Sequence, residues 1–120
     1  MCPEMTPVSR EWVSELKKGS VQLCLLALLR DERKYGFQIV KELRELSEGF
    51  FDLKEGTLYP ALRRLEKKGY LLSEWVERER GIPRKYYELT EDGRKALDAA
   101  EEVWNRMKES CDSVLRGRRR

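Results

Sequence analysis

Apolar residues recur at intervals of three and four along most of the chain, and this spacing is typical of amphipathic α-helices. The pattern predicts four helices in the first 68 residues. The first starts near Thr6-Pro7, and the second is nearly all apolar, which predicts a buried central helix. A charged connection over residues 30–34 separates the second helix from the third. The predicted helices lie within residues 1–18 and over residues 21–29, 35–48 and 55–68.

Two of these helices carry an apolar stripe that predicts the side facing the core. Gly49 and Gly69 follow them, and a glycine in the left-handed conformation commonly ends a helix. The predicted core positions of helix 35–48 are Phe37, Ile39, Val40, Leu43 and Leu46. Those of helix 55–68 are Leu58, Ala61, Leu62 and Leu65.

After residue 69 the pattern changes from helical to alternating. Residues 71–79 and 85–89 predict two strands, and the link Arg80-Gly81-Ile82-Pro83 predicts a turn that joins them into a hairpin. Thr90 is a strong helix N-cap, and Glu91 and Asp92 place carboxylates in the first turn, where the helix dipole favours them. A final helix is therefore expected over residues 91–115.

The three predicted helices between residues 21 and 68 are followed by a two-stranded hairpin, which we call the wing. This order is the winged variant of the helix-turn-helix. The predicted fold class is mainly α with a small β-hairpin, and the long last helix follows this domain. We divide the chain into an N-terminal helix over residues 1–18, a winged helix-turn-helix domain over 19–90, a C-terminal helix over 91–115, and a basic tail over 116–120 that we expect to be disordered.

Composition excludes several classes of function. The chain has three cysteines without a CxxC pair and no histidine, which argues against a disulfide framework, a zinc site and His-dependent catalysis. No phosphate-binding glycine loop is present. The longest apolar run, residues 23–29, is too short to span a membrane, and the N-terminus has no leader pattern. We therefore expect a cytoplasmic protein that is not an enzyme, with no cofactor and no metal.

Positive charge is concentrated in the middle of the chain. Residues 54–85 contain nine Lys and Arg against five Asp and Glu, whereas the segments on either side are balanced to within one charge. A local excess of this kind indicates an anionic partner.

Helix 55–68 has a polar side opposite its leucine stripe. Tyr59, Arg63 and Lys67 recur there at four-residue spacing. Arg and Lys bind guanine edges or phosphates, and Tyr and Thr donate to phosphate oxygens. A helix with this side exposed can enter the major groove of DNA, and an ordinary solvated helix face is the alternative. The candidate DNA-binding residues at and around this helix are Lys54, Thr57, Tyr59, Pro60, Arg63, Arg64 and Lys67.

A second group of cations surrounds the predicted turn of the hairpin. A wing would meet the phosphate backbone or the minor groove at this place. Charge that protects an edge strand from pairing is one alternative. A winged-helix module that binds another protein is a second, because it would keep the fold without needing these cations. The candidate DNA-binding residues of the wing are Arg78, Arg80, Arg84 and Lys85.

Several strings of residues together resemble the PadR family of transcriptional regulators. Residues 55–62 (EGTLYPAL), followed by Arg64-Leu65-Glu66 and Gly69, closely resemble the family's recognition helix. Tyr35-Gly36 at the start of the preceding helix, Lys18-Gly19-Ser20, and residues 83–87 (PRKYY) with Leu89-Thr90 are also similar to it. The resemblance covers about residues 16–95. Two positions depart from the family pattern, since Ile82 stands where arginine is common and Arg63 where histidine is frequent.

The resemblance implies a repressor that binds an operator near its own gene or a neighbouring one. Thr57, Tyr59 and the basic residues of the wing match DNA-contacting positions of the family, and Tyr35 and Gly36 become candidate contacts at the start of the second winged-domain helix. The single C-terminal helix is similar to that of a shorter subgroup. The implied partner is a double-stranded DNA operator.

The last helix carries an apolar seam whose intervals alternate between three and four, as in a coiled coil. The seam is longer than a domain of this size can cover, so we expect a homodimer, with Trp12 and Leu16 of the N-terminal helix as further contacts. Packing against the chain's own core is the alternative, and we expect it at Leu97. A two-fold dimer would place its recognition helices about 34 Å apart on a palindromic site. The seam residues are Leu97, Ala100, Trp104, Met107, Cys111 and Val114.

Trp104 is bulky for a seam that favours compact aliphatic residues. Some proteins similar to this one bind flat hydrophobic molecules between such tryptophans, and the hypothesis is a sensor site for a planar hydrophobic ligand, lined by Trp12, Ala100, Trp104 and Met107. A packed interface anchor is the alternative for Trp104. Cys111 is expected as a buried apolar residue, with a redox contact across the dimer as the alternative.

Overall fold

Five helices and three short strands form the described part of the computed structural model, which covers residues 7–117, with side chains from residue 10 onward. The helices begin and end within two residues of their predicted bounds. The predicted helix start at Thr6 and the arginines at 118–120 lie outside the described residues. In chain order the elements are α1 (Pro7–Lys17), α2 (Ser20–Leu28), β1 (Lys34–Tyr35), α3 (Gly36–Leu46), α4 (Glu55–Lys67), β2 (Leu71–Val76), β3 (Arg84–Leu89) and α5 (Glu91–Leu115).

The core lies where α2, α3 and α4 meet the sheet and the start of α5. Leu25, Leu58 and Leu62 are completely buried, and Leu97 of α5 is 2% exposed. Burying one such leucine contributes about 2 kcal/mol. The stripe predicted for α4 is confirmed, since all four of its residues are buried. This leaves the opposite side of α4 free for other contacts.

The stripe predicted for α3 is partly wrong. Ile39 and Leu43 are buried as expected, but Phe37 is 65% exposed and Leu46 is 75% exposed. The buried side of α3 includes Gly36, and Phe37 is rotated about 100° from that glycine around the helix. Phe37 therefore lies on the surface beside α4 and the wing.

The sheet has three strands where the sequence predicted two. β1 lies partly in the predicted charged connection and pairs antiparallel with β3, so the strand order is β1-β3-β2. Two residues are too few to produce an alternating pattern, which is why this strand was not predicted. Lys34 of β1 is only 7% exposed, and its ammonium group donates to the Leu28 carbonyl and lies 3.4 Å from the Glu42 carboxylate.

The two strands of the wing also differ from their predicted bounds. β2 ends at Val76 rather than at residue 79, and β3 starts one residue earlier than predicted, at Arg84. The pairing of Val76 with Arg84 leaves residues 77–83 as the wing loop, which is longer than the predicted turn.

The predicted caps at Gly69 and Thr90 are confirmed, and Gly69 has a φ of +84° directly after the Lys68 C-cap, the left-handed conformation expected at a helix end. The end of α3 differs from the prediction: Ser47 is its C-cap, and the chain turns left-handed first at Glu48, with a φ of 53°, and then at Gly49, with a φ of +84°. The Gly93 amide donates to the Thr90 hydroxyl oxygen at 2.9 Å, and this hydroxyl donates to the Gly69 carbonyl at 2.7 Å. Thr90 therefore joins the start of α5 to the end of α4.

Only the first part of α5 is anchored to the winged domain. Its first turns contact α2 and β3, but every residue from 101 to 112 is exposed. The whole molecule, α5 included, is elongated and measures 63 by 34 by 21 Å. None of the helices in the described residues combines the length and apolar character needed to cross a membrane.

Candidate nucleic-acid interface

The side of α4 opposite the core faces solvent. Burial of its leucine stripe turns the other side of the helix outward, because α-helical side chains four residues apart share one face. A proline commonly interrupts a helix, but α4 begins at Glu55 as predicted and continues through Pro60, which is half-buried. The exposed candidates on and just before α4 are Lys54, Thr57, Tyr59, Arg63, Arg64 and Lys67.

Tyr59 connects α4 to the start of α3. Its hydroxyl occupies the space in which a side chain at Gly36 would begin, so only glycine permits this approach. Burial, and secondarily the Glu55 carboxylate, raise the pKa of Tyr59 above its ordinary value. The phenol is therefore protonated at neutral pH and can donate a hydrogen bond to an anion beside the N-terminus of α3, where the helix dipole is positive.

The wing and α4 face each other across a groove of about 430 Å³, which we call the wing groove. Its walls come from the start of α3, the outer side of α4 and the inner side of the wing. Cations exceed carboxylates among its lining residues. They are Tyr35, Gly36, Phe37, Tyr59, Arg63, Glu66, Trp75, Arg78, Ile82, Pro83, Arg84, Lys85 and Tyr87.

A chain of stacked side chains holds Arg84 at the edge of this groove. The Arg84 guanidinium lies 4.1 Å from the centre of the Tyr35 ring, and Tyr35 meets Tyr86 edge to face at 5.4 Å. The Arg33 guanidinium lies 4.7 Å from the centre of the Tyr86 ring and pairs with the Glu74 carboxylate at 3.3 Å. Cation–π contacts of this kind restrict a long side chain without neutralising it. Arg84 is therefore held in place with its charge intact.

The other wing cations have different surroundings. The Arg78 Nε donates to the Ile82 carbonyl at 2.8 Å, so this arginine braces the wing loop. The Lys85 ammonium lies 5.7 Å from the Trp75 ring. Arg80 is exposed on the wing loop, beyond the lining of the groove. Arg84 and Lys85 thus line the groove, while Arg80 extends the cationic surface outward.

The floor of the wing groove is polar but weakly charged. Tyr87 is buried there, and its burial raises the pKa of the phenol, with Glu66 and Tyr59 adding to this effect and Arg63 opposing it. Glu66 accepts a hydrogen bond from the Ser73 hydroxyl at 2.5 Å. The groove therefore has one carboxylate among several cations, and this balance favours an anionic partner.

The wing groove unites only some of the predicted DNA-binding residues. It includes Tyr35, Gly36, Tyr59, Arg63, Arg78, Arg84 and Lys85. Lys54, Thr57, Pro60, Arg64, Lys67 and Arg80 lie outside its lining, on the adjoining surfaces of α4 and the wing loop. Two residues of the wing groove were not predicted from the sequence. Phe37 had been assigned to the core, and no role was assigned to Trp75.

A second groove, of about 580 Å³, lies between α1, α2 and α5, and we call it the α5 groove. It is mainly apolar and opens next to Trp104 and Leu16. The Arg30 and Glu101 side chains pair across its edge at 3.1 Å, and the Lys17 ammonium lies 4.4 Å from the Phe50 ring. The residues lining it are Leu16, Lys17, Ser20, Leu23, Cys24, Ala27, Arg30, Phe50, Phe51, Leu97, Glu101 and Trp104.

The predicted dimer and ligand residues have different surroundings within one chain. Leu97 is buried in its own chain, as the alternative for this position expected. Trp104 and Leu16 line the α5 groove, whereas Trp12 lies apart with Glu11 and Glu15. The four residues hypothesised to line a ligand site do not share one cavity within a chain. The seam residues Trp104, Met107, Cys111 and Val114 are exposed, and Ala100 is half-buried.

Among the described residues, no three Cys, Asp or Glu side chains group closely enough to hold a metal ion. The arrangement at the wing groove is instead suited to binding an extended polyanion through guanidinium, ammonium and phenol groups.

Comparison with known proteins agrees with this geometry. Residues 25–99 match the model of the transcriptional regulator PadR-like family. The chain is 31% identical over 104 residues to an uncharacterized protein of Lysinibacillus sphaericus, covering 87% of this chain and 95% of that protein. It is 36% identical over 83 residues to a transcriptional regulator of Mycobacterium tuberculosis, covering 69% of this chain and 74% of the relative.

Solved structures are similar over most of the chain. A PadR family transcriptional regulator of Eggerthella lenta is 33% identical with a TM-score of 0.81, covering 90% of this chain and 92% of the other. A transcriptional regulator of Clostridium thermocellum is 33% identical with a TM-score of 0.76, covering 82% of this chain and 96% of the other. The chain therefore belongs to the PadR-like family, whose members are transcriptional regulators and not enzymes.

Proposed function

We propose that this protein is a sequence-specific repressor that binds a palindromic DNA operator as a homodimer. The observation that carries the proposal is the wing groove, which places the exposed side of α4 and the cations of the wing on one concave surface. A basic surface formed by a recognition helix and a wing matches the shape and charge of duplex DNA.

The two walls of the wing groove have different tasks in this proposal. α4 enters the major groove, where Arg63, and Arg64 and Lys67 beyond it, meet guanine edges or phosphates. Thr57, Tyr59 and the start of α3 at Tyr35 and Gly36 hold phosphates beside it. Arg84 and Lys85 bind the neighbouring backbone, and Arg80 reaches further along it. Lys54 and Pro60 border the same surface.

The exposed seam on α5 supports the homodimer. In a single chain Met107 is 49% exposed, Val114 is 78% exposed, and Trp104 keeps 37% of its surface exposed beside the α5 groove. A second copy of α5 offers a matching apolar stripe, and burying two such stripes stabilises an antiparallel or parallel helix pair. A two-fold axis through the pair would present two copies of α4 to half-sites about 34 Å apart.

We further propose that a planar hydrophobic molecule regulates the repressor at the α5 groove. The support is the position of Trp104, which is partly exposed and faces an apolar groove of about 580 Å³ together with Leu16 and Phe50. A groove of this size fits a drug-sized ligand. Trp104 quenching by planar aromatic compounds, absent in a Trp104→Phe variant, would support the site, and unchanged fluorescence at saturation would remove it.

The test of DNA binding is a titration of duplex DNA from upstream of the protein's own gene against random-sequence DNA, followed by fluorescence anisotropy at several salt concentrations. We expect sub-micromolar binding to the specific duplex that weakens steeply with salt. The Arg63→Ala, Arg84→Ala double variant should bind at least 100-fold more weakly. The matched control is Arg106→Ala, which removes an exposed cation from α5.

Equal affinity of the double variant and the wild type would contradict the proposal and favour a winged-helix module that binds protein. A reporter gene placed behind the operator tests repression itself. Expression should rise when Arg63 and Arg84 are replaced and should remain low with the control variant.

A further inference from the structure

The wing loop carries an exposed apolar side chain among its cations. Ile82 is 77% exposed and lies between Arg80 and Arg84 in sequence. It lines the wing groove together with Tyr59 and Arg63 of α4. A single exposed isoleucine is ordinary on a protein surface. What distinguishes Ile82 is its position between two arginines at the edge of the wing groove.

The backbone that bears Ile82 is braced. Arg78 donates from Nε to the Ile82 carbonyl at 2.8 Å, and its guanidinium also covers Gly81 so closely that a Cβ there would collide with it. Gly81 has a φ of +86°, which a side chain would strain. The brace holds the Ile82 backbone in one conformation and so gives its side chain a defined position at the end of the wing.

The charges beside Ile82 indicate where this side chain meets DNA. With α4 in the major groove, the wing reaches the adjacent backbone and the minor groove that it borders. Arg80 and Arg84 on either side of the isoleucine attract phosphates. An apolar residue between two phosphate-bound cations faces the sugars and base edges between the phosphate rows.

We propose that Ile82 enters the minor groove as an apolar wedge and selects operators with a deformable base step at that position. This inference rests on the proposed DNA-binding function. Isoleucine has no hydrogen-bonding group on its side chain, so it cannot read base edges directly. An inserted apolar side chain partly unstacks the bases and bends the duplex, and this costs least at TA and CA/TG steps.

The experiment is a selection of binding sites from a random duplex pool with the wild-type protein, Ile82→Ser and the control Leu72→Ser. Leu72 is 61% exposed on the same hairpin, but it lies on the face away from α4, since the neighbouring Ser73 is the residue that contacts Glu66. Affinity is then measured by anisotropy, and the DNA bend by gel mobility of circularly permuted fragments.

We expect wild type and Leu72→Ser to select a shared core sequence with a pyrimidine–purine step at a constant distance from it. Ile82→Ser should select the same core without the step, bind the wild-type site about tenfold more weakly, and bend it less. Its salt dependence should be unchanged, because no charge is lost. Ile82→Arg should replace the step with a preference for a narrow A·T-rich minor groove.

Ile82→Ser that keeps the step preference, the affinity and the bend would overturn the inference and leave the proposed function intact. If the wild type selects no sequence from the pool, the proposed function fails and the inference fails with it. An unchanged melting temperature establishes that Ile82→Ser is folded, and Ile82→Ala is the second variant if serine lowers it.

Discussion

The wing groove and the outer half of α5 are both exposed, but they differ in how their side chains are held. In the wing groove, Arg84 stacks on Tyr35, Arg78 hydrogen-bonds to the wing loop, and Tyr59 packs against Gly36. On α5, apolar residues such as Met107 and Val114 project from the outer half of the helix, where they are 49% and 78% exposed.

The difference indicates that the wing groove is shaped by contacts within one chain, unlike the outer half of α5. One chain is sufficient to shape the surface proposed to contact DNA, because contacts between α3, α4 and the wing hold its side chains before any ligand arrives. In the proposed homodimer, a second chain covers the outer half of α5, where Met107 and Val114 are exposed in a single chain. Damage to the seam should therefore leave each single DNA-contacting surface intact while removing the pairing of two such surfaces.

The largest expected effect comes from charging the seam. The Trp104→Glu, Met107→Glu double variant should be a folded monomer, since burying two carboxylates in an apolar interface is costly. Its operator affinity should fall by about 100-fold or more, because linkage of two half-site contacts is lost. Sedimentation velocity gives the oligomeric state and anisotropy gives the affinity.

Arg106→Glu is the control for charge, since it changes the net charge by the same two units on another side of α5. It should remain dimeric. A double seam variant that stays dimeric, or a monomer that keeps full operator affinity, would contradict the division between the two regions.

The second-largest effect is expected where α5 is joined to the winged domain. Gly93, near the start of α5, is buried against the Tyr70 carbonyl, and a Cβ there would collide with this backbone atom. Because backbone cannot rotate aside as a side chain can, Gly93→Ala should lower the free energy of unfolding by about 3 kcal/mol. Urea denaturation measures this change.

Gly56→Ala is the matched control, since a Cβ at Gly56 meets nothing within 4 Å. It should raise the stability by about 0.5–1 kcal/mol, the ordinary gain for alanine over glycine inside a helix. Equal effects of the two substitutions would show that α5 is not tightly joined to the sheet.

A smaller effect is expected for Gly36→Ala. The new Cβ should displace the Tyr59 side chain, which can move, so stability should change little while operator affinity falls about tenfold. Because the loss acts through Tyr59, Gly36→Ala should have no further effect in a Tyr59→Ala background. Additive losses in this double-mutant cycle would mean that Gly36 contacts DNA independently of Tyr59.

The smallest effect concerns Cys24, a half-buried residue that lines the α5 groove. Burial raises the pKa of the Cys24 thiol above its ordinary value, so the reactive thiolate is scarce at neutral pH. Alkylation followed by peptide mass spectrometry should proceed several-fold more slowly at Cys24 than at a free cysteine peptide. The reaction should accelerate as the pH rises past the ordinary thiol range.

A seam variant that leaves the lining of the α5 groove unchanged extends this measurement. If a partner's α5 covers the α5 groove, Cys24 should be alkylated faster in a Met107→Glu, Val114→Glu monomer than in the wild-type dimer, because neither substituted residue lines the groove. The same rate in both proteins would place the dimer contact elsewhere on α5.

Local patterns determined much of this fold from the sequence alone. The bounds predicted for α5 match the structure, because the Thr90 cap lies next to the residues it caps. The core side of α4 followed from leucine spacing, and the left-handed glycines at 49 and 69 followed from their places after helical segments. Each of these features depends on residues within a few positions of one another.

Contacts between distant segments decided the rest. The two-residue strand β1 exists because β3 lies beside it, and Phe37 is exposed because α3 turned a different side to the core than its apolar pattern predicted. The stacking of Arg84 on Tyr35 and the separation of Trp12 from Trp104 likewise depend on how the elements pack. Periodicity predicts which residues share a face of one helix, whereas only packing determines which elements lie next to that face.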